Sequence, residues 1–213
     1  MIIEFFGLSG TGKTVIGREL SRMLKIEYIN VDSFFEKIKY ALFYFFTSPL
    51  KTTRLFFKTI NESGLSFNLM RQKLFILFCM AIRNQKALGK GGNGVVILDE
   101  GMAEYGLTLF EKEINEEEVR KYLQKNTAFD ILVILRTDSN ERIRRMEQKT
   151  KIPRSHLGID IGKWQLIQEN NEKVFRRVFE RYFDDRNFIE VDTTGKTINN
   201  SLNEICSVLK KYL

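Results

Sequence analysis

Proline, cysteine and histidine are scarce in this sequence. Its 213 residues include 2 prolines, 2 cysteines and 1 histidine. So few prolines argue against long structureless linkers, and a chain of this length can bury roughly 70% of its unfolded surface without disulfides or a structural metal. We therefore expect one globular domain. Cys79 and Cys206 lie in apolar helical patterns, which predicts two buried thiols in a reducing compartment.

Long uncharged apolar runs and a leader pattern are also missing. No stretch of 18 residues is both apolar and uncharged, so no membrane-spanning helix is expected. The first ten residues, MIIEFFGLSG, have neither a basic start nor a long apolar core, so we do not expect a signal peptide. Both features predict a cytoplasmic protein. His156 has no second histidine and no cysteine cluster to accompany it, so a metal site at that position is not expected.

Positive charge is in moderate excess, with 34 Lys and Arg against 27 Asp and Glu. The excess favours an anionic partner, such as a nucleotide, a phosphorylated metabolite, a nucleic acid or an anionic lipid, without choosing among them. A nucleic acid is the least expected of these, because no recognition motif accompanies the charge. Apolar residues make up 43% of the chain and charged residues 29%, which is typical of a globular protein and excludes a disordered or collagen-like one.

Short apolar runs alternate with longer helical patterns along the chain. The runs predict five strands, at Ile2–Phe6, Ile26–Asn30, Val95–Leu98, Ile131–Leu135 and Phe188–Val191. Continuous apolar strands separated by helices are typical of a parallel sheet that is covered on both faces. We therefore predict an α/β fold in one domain spanning residues 1–213. A helical insertion is expected at about residues 33–90, with its helices broken near Ser48-Pro49 and Ser63-Gly64. A polar lid is expected at about residues 140–160.

The strongest motif follows the first predicted strand. Residues 7–14 match the pattern G-x-x-x-x-G-K-[ST] in full. Glycines let backbone N–H groups turn inward around phosphate oxygens, and the following helix presents its N-terminus to the same anion. Lys13 is expected to reach the β- and γ-phosphates of ATP, and the Thr14 hydroxyl to bind Mg²⁺. The predicted nucleotide-binding segment consists of Gly7, Leu8, Ser9, Gly10, Thr11, Gly12, Lys13, Thr14 and Val15.

Two acids follow the third predicted strand. The segment Val95–Glu100 is four apolar residues running into Asp99 and Glu100, a pattern typical of the Walker B strand of P-loop proteins. An acid at the end of that strand can hold Mg²⁺, so Asp99 is the second candidate metal ligand. Glu100 is either a catalytic acid that polarises an attacking water, or a structural acid at the start of the next helix.

A third acid, Asp32, comes just after the second predicted strand. It is a candidate general base, because an acceptor hydroxyl benefits from one whereas a phosphate acceptor hardly needs it. The alternative is an N-cap for the helix that starts at Ser33.

Basic residues are concentrated after the fourth predicted strand. They are Arg136, Arg142, Arg144, Arg145, Lys149, Lys151 and Arg154. On a helix, Arg142 and Arg145 share a face. Positive charge from a closing lid would neutralise the phosphoryl group during transfer, which makes these two residues candidate catalytic groups. A solvated basic helix face is the alternative.

The order of these motifs resembles that of nucleoside and nucleoside monophosphate kinases, thymidylate kinases especially. Leu135–Arg145 resembles the family's strand-to-lid segment, Val174–Tyr182 its following helix, and Phe188–Gly195 its last strand and turn. The resemblance implies a three-layer P-loop fold with a five-stranded parallel sheet and phosphotransfer from ATP to an acceptor. The last turn passes beside the adenine in that family, which places Thr194 at the nucleotide.

The sequence departs from thymidylate kinases where the acceptor would bind. It has Asp99-Glu100-Gly101 in place of the family's acid-Arg pair, and no arginine between Glu36 and Lys51 to hold an acceptor phosphate. The leading expectation is therefore a small-molecule kinase whose acceptor is a nucleoside or a nucleoside monophosphate. The alternative is a P-loop ATPase that acts as a switch or a partner-binding module.

An aromatic segment at Phe34–Phe46, continued by Leu55–Phe57, has no counterpart in these motifs. Its apolar residues fall on both faces of one predicted helix, and lysines flank it. Such a helix is either packed in the core or in contact with an acceptor, a protein or a membrane surface.

Overall fold

The computed structural model describes residues 1–31, 33–47, 49–64, 66–92, 94–148, 160–183 and 188–213. The strands are β1 (Ile2–Phe6), β2 (Glu27–Tyr28), β3 (Val96–Leu98), β4 (Ile131–Arg136) and β5 (Phe188–Asp192). The helices are α1 (Lys13–Leu24), α2 (Phe34–Thr47), α3 (Pro49–Ser63), α4 (Phe67–Gly91), α5 (Met102–Leu109), α6 (Glu116–Asn126), α7 (Ser139–Glu147), α8 (Ile161–Tyr182) and α9 (Ile198–Leu209).

The five strands form one parallel sheet in the order β2-β3-β1-β4-β5. Ile3 of β1 is aligned with Ile97 of β3 on one side and with Ile131 of β4 on the other. The carboxyl ends of the central strands therefore meet at one edge of the sheet, where open α/β folds place their ligands. The predicted α/β fold, with a five-stranded parallel sheet and helices on both faces, is confirmed.

The alternation of side chains along β1 divides the core into two layers. Ile3 and Phe5 are buried in the layer that α1 and α9 build, together with Ile16 and Ile205. Phe6 is buried on the opposite face, where its ring lies 5.1 Å from that of Phe179 of α8. Glu4 shares that second face with Phe6, so a carboxylate lies in an otherwise apolar layer.

Helices α2, α3 and α4 occupy the region predicted as a helical insertion. The predicted breaks are confirmed: α2 ends at Thr47, α3 begins at Pro49, and α3 ends at Ser63. Proline suits the first position of a helix because its missing N–H has no intrahelical partner there. Gly64 follows α3 in the left-handed region, with a φ of 57°, where glycine is favoured. Among the described residues, no helix combines the length and apolarity needed to cross a membrane.

Two helices and one thiol differ from the sequence predictions. Helices α5 and α6 lie between β3 and β4, in a part of the chain for which no helix was predicted. A capping box between Asn115 and Glu118 starts α6, and this sequence pattern could have predicted where the helix begins. Both cysteines are free thiols, but only Cys206 is buried; Cys79 is half-buried, so the prediction of two buried thiols was wrong for that residue.

Candidate active site

The loop between β1 and α1 has the shape of a phosphate-binding loop. The Thr11 hydroxyl donates a hydrogen bond to the Leu8 carbonyl across the turn (2.9 Å). Gly10 has a φ of 94°, and a Cβ added there would lie 2.8 Å from Cγ of Arg142, so only glycine suits this position. The first turn of α1 begins at Lys13, so its free N–H groups and dipole are available to an anion in the loop.

Lys13 is folded back over this loop. Its Nζ donates hydrogen bonds to the carbonyls of Gly7 (2.5 Å) and Leu8 (3.2 Å). It also lies 3.1 Å from Oε1 of Glu104, a buried residue of α5. The ammonium group is thus held at the loop by three oxygen partners that a bound phosphate would replace or share.

Glu104 and Glu4 form a buried acidic pair behind the loop. Oε2 of Glu104 accepts a hydrogen bond from the Gly7 N–H (3.1 Å), and Oε1 of Glu4 accepts one from the Ala103 N–H (2.8 Å). Burial raises the pKa of Glu4 to about 8. Burial also raises the pKa of Glu104 to about 7, against the opposing effect of Lys13. The pair therefore carries less negative charge near neutral pH than two ordinary carboxylates would.

The raised pKa of Glu4 predicts that stability falls as the pH rises. Unfolded Glu4 releases its proton near pH 4.5 and folded Glu4 near pH 8, so between these values folding takes up a proton and alkaline conditions favour unfolding. We expect the free energy of unfolding to decline across this window by an amount on the order of 5 kcal/mol. Glu4→Gln should remove most of that slope in denaturation curves recorded at pH 5, 6.5 and 8.

Glu104 titrates in the same direction and should leave a smaller residual slope in the Glu4→Gln variant. Glu147→Gln, at an exposed position of α7, is the matched control and should keep the wild-type slope. Equal slopes in Glu4→Gln and the wild type would contradict the assignment to Glu4.

Asp99 is buried at the carboxyl end of β3, against the first turns of α1. A Cβ added at Gly17 would lie 3.6 Å from Cβ of Asp99, and Thr14 precedes Gly17 by one helical turn on the same side of α1. The Tyr28 hydroxyl is hydrogen-bonded to Asp99, and burial together with this acid raises the pKa of Tyr28.

A hydroxyl and a carboxylate on facing elements are the oxygen donors that Mg²⁺ prefers, with its remaining positions left for phosphate and water. Thr14 and Asp99 therefore fit the ion. Within the described part of the chain, no group of three or more His, Cys, Asp or Glu residues could hold a metal ion by itself.

Glu100 has an arginine partner that the sequence did not predict. Nη1 of Arg83, on α4, donates to Oε2 of Glu100 at 3.3 Å and lies 4.0 Å from Oδ1 of Asp99. Arg83 thus bridges the two acids that follow β3. The Glu100 carboxylate is partly exposed and lines a cavity beside the loop.

Arg142 and Arg145 both lie on α7, but they have different surroundings. Arg142 is buried beside the loop, where Nη1 lies 3.4 Å from the Ser9 carbonyl and Nη2 pairs with Glu169 of α8 at 2.5 Å. Arg145 pairs with Glu141 at 2.6 Å and contacts Thr193, after β5, through the carbonyl oxygen (3.1 Å). Only Arg142 therefore touches the loop itself.

Thr194 lies in the turn after β5, where its hydroxyl accepts a hydrogen bond from the Asp138 N–H (2.8 Å). The neighbouring Thr193 hydroxyl donates to the Thr11 carbonyl (3.3 Å), which joins this turn to the loop. The remaining predicted positions, Asp32, His156 and the lid residues Lys149, Lys151 and Arg154, lie outside the described residues.

Two cavities open on either side of the loop. The first, here called the central cavity, has a volume of about 180 Å³ and lies between α4, α5, α7 and α8. The second, the outer cavity, has a volume of about 430 Å³ and lies between the ends of β4 and β5 and the helices α7 and α8. Leu8 and Arg142 line both cavities, so the two spaces meet at the loop. Glu100, Glu104 and Gln72 line the central cavity, and Thr11, Asp138 and Thr194 line the outer one.

Sequence reasoning missed Glu104 and Gln72. Glu4 offered an indirect indication of Glu104, because an acid inside the apolar run of β1 requires polar partners in the core. Gln72 had no such indication, since a glutamine in a long helix is ordinarily a solvated residue. In the structure, Oε1 of Gln72 is buried at the central cavity and has no hydrogen-bond partner among the described residues.

Comparison with solved structures finds the same architecture over nearly the whole chain. Deoxyadenosine kinase from M. mycoides with bound dATP matches with a TM-score of 0.59 and 17% identity, covering 99% of each chain. The same enzyme with its products dCMP and dCDP matches with a TM-score of 0.57 and 18% identity, covering 99% of this chain and 100% of that one. Thymidylate kinase from Candida albicans matches with a TM-score of 0.56 and 16% identity, covering 99% and 91%. The fold is that of the P-loop nucleoside and nucleotide kinases. No family model matches the sequence, and no curated protein matches it.

The phosphate-binding loop and Asp99 lie at the edge of the sheet where α/β folds of this kind place their ligands. The phosphate-binding loop follows the central strand β1, and Asp99 follows its neighbour β3. Both therefore lie at the carboxyl edge of the sheet, and the two cavities lie at the same edge.

Proposed function

We propose that this protein is an ATP- and Mg²⁺-dependent kinase that phosphorylates a hydroxyl group of a nucleoside. The observation that carries the proposal is the pair of cavities that meet at Leu8 and Arg142 beside the phosphate-binding loop. A transferase needs two substrates on opposite sides of one phosphoryl group, whereas a hydrolytic switch needs only the nucleotide and water. The solved deoxyadenosine kinase with bound dATP supports a nucleotide in a fold of this kind.

The charge around the central cavity favours a nucleoside over a nucleoside monophosphate. Its described lining contains the acids Glu100 and Glu104 and a single basic residue, Arg142, which is already paired with Glu169. The two acids are also paired, Glu100 with Arg83 and Glu104 with Lys13, so the described lining offers no unpaired cation to a dianionic phosphate. A neutral nucleoside needs none. Gln72 adds a carbonyl oxygen without a described partner, which suits an N–H donor of a base.

Each residue at the loop then has a defined task. The outer cavity holds the adenosine part of ATP near Thr194, and the loop from Gly7 to Thr14 holds its phosphates. Thr14 and Asp99 would hold Mg²⁺, which would supply positive charge to the phosphates. Lys13 moves from the Gly7 and Leu8 carbonyls to the β- and γ-phosphates, and Arg142 stabilises the transferring phosphoryl group.

The acceptor hydroxyl loses one proton as its oxygen bonds to phosphorus and ADP leaves. Glu100 lines the central cavity and is our first candidate to take that proton. Asp32, which follows β2, is the second candidate.

The proposal is tested by measuring ADP release against a panel of nucleosides, deoxynucleosides, nucleoside monophosphates and sugars. We expect turnover to depend on an added nucleoside and to need Mg²⁺. ATP hydrolysis at an unchanged rate with and without every acceptor would instead support the P-loop ATPase reading. A preference for monophosphates would overturn the charge argument but leave the kinase assignment in place.

Gln72→Leu is expected to weaken binding of the acceptor without weakening binding of ATP. Leucine fills the same space but removes the carbonyl oxygen, so the acceptor's N–H would be buried without a partner. We expect KM for the nucleoside to rise by roughly tenfold to a hundredfold, while KM for ATP stays unchanged. Gln124→Leu, at an exposed position of α6, is the control. Equal rises in both KM values would contradict a role for Gln72 in acceptor recognition.

We also propose that the reaction takes place in the cytoplasm. ATP and Mg²⁺ are supplied there, and the reducing environment suits two free thiols at Cys79 and Cys206. Localisation of a tagged full-length chain by cell fractionation tests this assignment.

A further inference from the structure

The surface of α2 carries a stripe of exposed apolar side chains. Phe35, Leu42 and Phe46 are spaced by seven and four residues and therefore lie on one face of the helix. Their side chains are 81%, 52% and 74% exposed, respectively. Lys39, four residues after Phe35, belongs to the same face and is also exposed. Of the fourteen residues of α2, only Tyr44 is buried, so core packing does not account for the aromatic residues of this helix.

The next helix repeats the arrangement. Leu50 and Phe57 are seven residues apart on one face of α3 and are 86% and 59% exposed. Arg54 lies between them on that face and is exposed, while Lys51 and Lys58 flank it. Exposed aromatic residues with cationic side chains beside them are the composition of helices that lie in a membrane interface.

Positive charge is concentrated in this part of the chain. Residues 34–91 contain ten Lys and Arg and two Asp and Glu, whereas the rest of the chain contains 24 and 25, respectively. The whole excess of positive charge in the protein therefore resides in α2, α3 and α4. One of the two acids, Glu36, is already paired with Lys86 at 3.0 Å.

A basic groove runs beside the exposed face of α3. It has a volume of about 490 Å³, and its lining includes Lys51, Arg54 and Lys58 of α3 and Lys121 and Lys125 of α6. Partial burial lowers the pKa of Lys51 and of Lys58, so both ammonium groups have lost part of their hydration. An anion placed in the groove would compensate that loss.

An apolar cavity of about 320 Å³ lies beneath the same two helices. Ala41 and Phe45 of α2, Phe56 of α3 and Phe78 of α4 contribute to its wall. Leu55 separates it from the basic groove and lines both spaces. An anionic head group in the groove and a hydrocarbon chain beside Leu55 would thus have neighbouring sites.

We propose that α2 and α3 bind the surface of an anionic lipid bilayer. The aromatic side chains enter the interfacial region of the bilayer, and the Lys and Arg side chains contact the lipid head groups. A second copy of this chain is a poorer occupant, because pairing two such surfaces would bring like charges together. The surface would hold the catalytic site near the membrane without taking part in catalysis.

The test is flotation of the full-length protein with vesicles, without nucleotide, so its outcome does not depend on the proposed kinase activity. We expect binding to vesicles of phosphatidylcholine with 30% phosphatidylglycerol, weak binding to phosphatidylcholine alone, and loss of binding as NaCl is raised. Lys51→Ala with Arg54→Ala should weaken the affinity about thirtyfold, on the scale of polybasic segments. Phe46→Ser with Phe57→Ser should weaken it by about tenfold.

Two control variants remove the same number of charges or of exposed apolar side chains outside α2 and α3. Lys210→Ala with Lys211→Ala removes the same charge from exposed positions after α9, and Ile198→Ser with Leu213→Ser removes exposed apolar side chains. Both should bind like the wild type. Equal binding to neutral and anionic vesicles, or equal losses in test and control variants, would overturn the proposal. A dimer in sedimentation velocity that Phe46→Ser with Phe57→Ser dissociates, without vesicle binding, would also overturn it and identify a second copy as the occupant.

Discussion

Lys13→Ala is expected to lower kcat for ATP turnover by roughly a hundredfold to a thousandfold. The ammonium group is the charge closest to where phosphates would bind, at the carbonyls of Gly7 and Leu8. Its interaction with the phosphoryl oxygens grows as negative charge develops during transfer, so the loss should appear in kcat more than in ATP binding. Steady-state ADP release with a saturating nucleoside measures the effect.

The ion pair with Glu104 complicates this substitution. Removing Lys13 leaves a buried carboxylate without its cation, which costs stability unless the carboxylate takes up a proton. We therefore expect Lys13→Ala to lose thermal stability, and more so at alkaline pH, because the pKa of Glu104 is already raised to about 7 by burial. Lys13→Ala combined with Glu104→Gln removes both charges and should recover most of that stability.

The double variant separates folding from catalysis. It should unfold near the wild-type temperature and still fail to turn over ATP, because Glu104 cannot replace the ammonium group. Lys211→Ala, at the exposed end of the chain, is the control and should keep full activity. A folded double variant with normal kcat would show that Lys13 has only a structural role.

The parts of this fold that the sequence revealed are those with local signals. The phosphate-binding loop needs glycines and a lysine at fixed spacing within eight residues, and the strands need short apolar runs. The break between α2 and α3 was readable because Pro49 starts a helix readily and cannot continue one. Each of these signals depends on residues that are close in the chain.

The contacts that Lys13 and Arg142 make inside the site could not be predicted from local sequence patterns. Lys13 meets Glu104, which is 91 residues away, and Arg142 meets Ser9, which is 133 residues away. Neither Glu104 nor Gln72 lies in a motif, and only the packing of α4 and α5 beside β1 brings them to the loop. The exposure of the α2 aromatics was equally hidden, because their pattern fits burial as well as it fits an interface.

Arg142→Ala is expected to lower kcat by roughly tenfold to a thousandfold with a smaller change in KM for ATP. The guanidinium group lies between the two cavities, in contact with the loop at Ser9, so it is placed to meet charge at the transferred phosphoryl. Arg142→Lys should recover little of the activity, since an ammonium group cannot contact the loop and Glu169 through a planar fork. Arg145→Ala removes a contact with the turn at Thr193 and none with the phosphate-binding loop, so we expect a smaller fall in kcat from it.

The exposed Arg144 on the same helix provides the control for Arg142. Its side chain is 67% exposed, and its substitution removes the same charge from α7 without touching the loop. Arg144→Ala should therefore retain near-normal kcat. Thermal unfolding of each variant shows whether the loss of the pair between Arg142 and Glu169 affects the fold. If folded Arg142→Ala and Arg144→Ala both keep normal kcat at saturating acceptor, Arg142 serves only as the structural partner of Glu169 and takes no part in phosphoryl transfer.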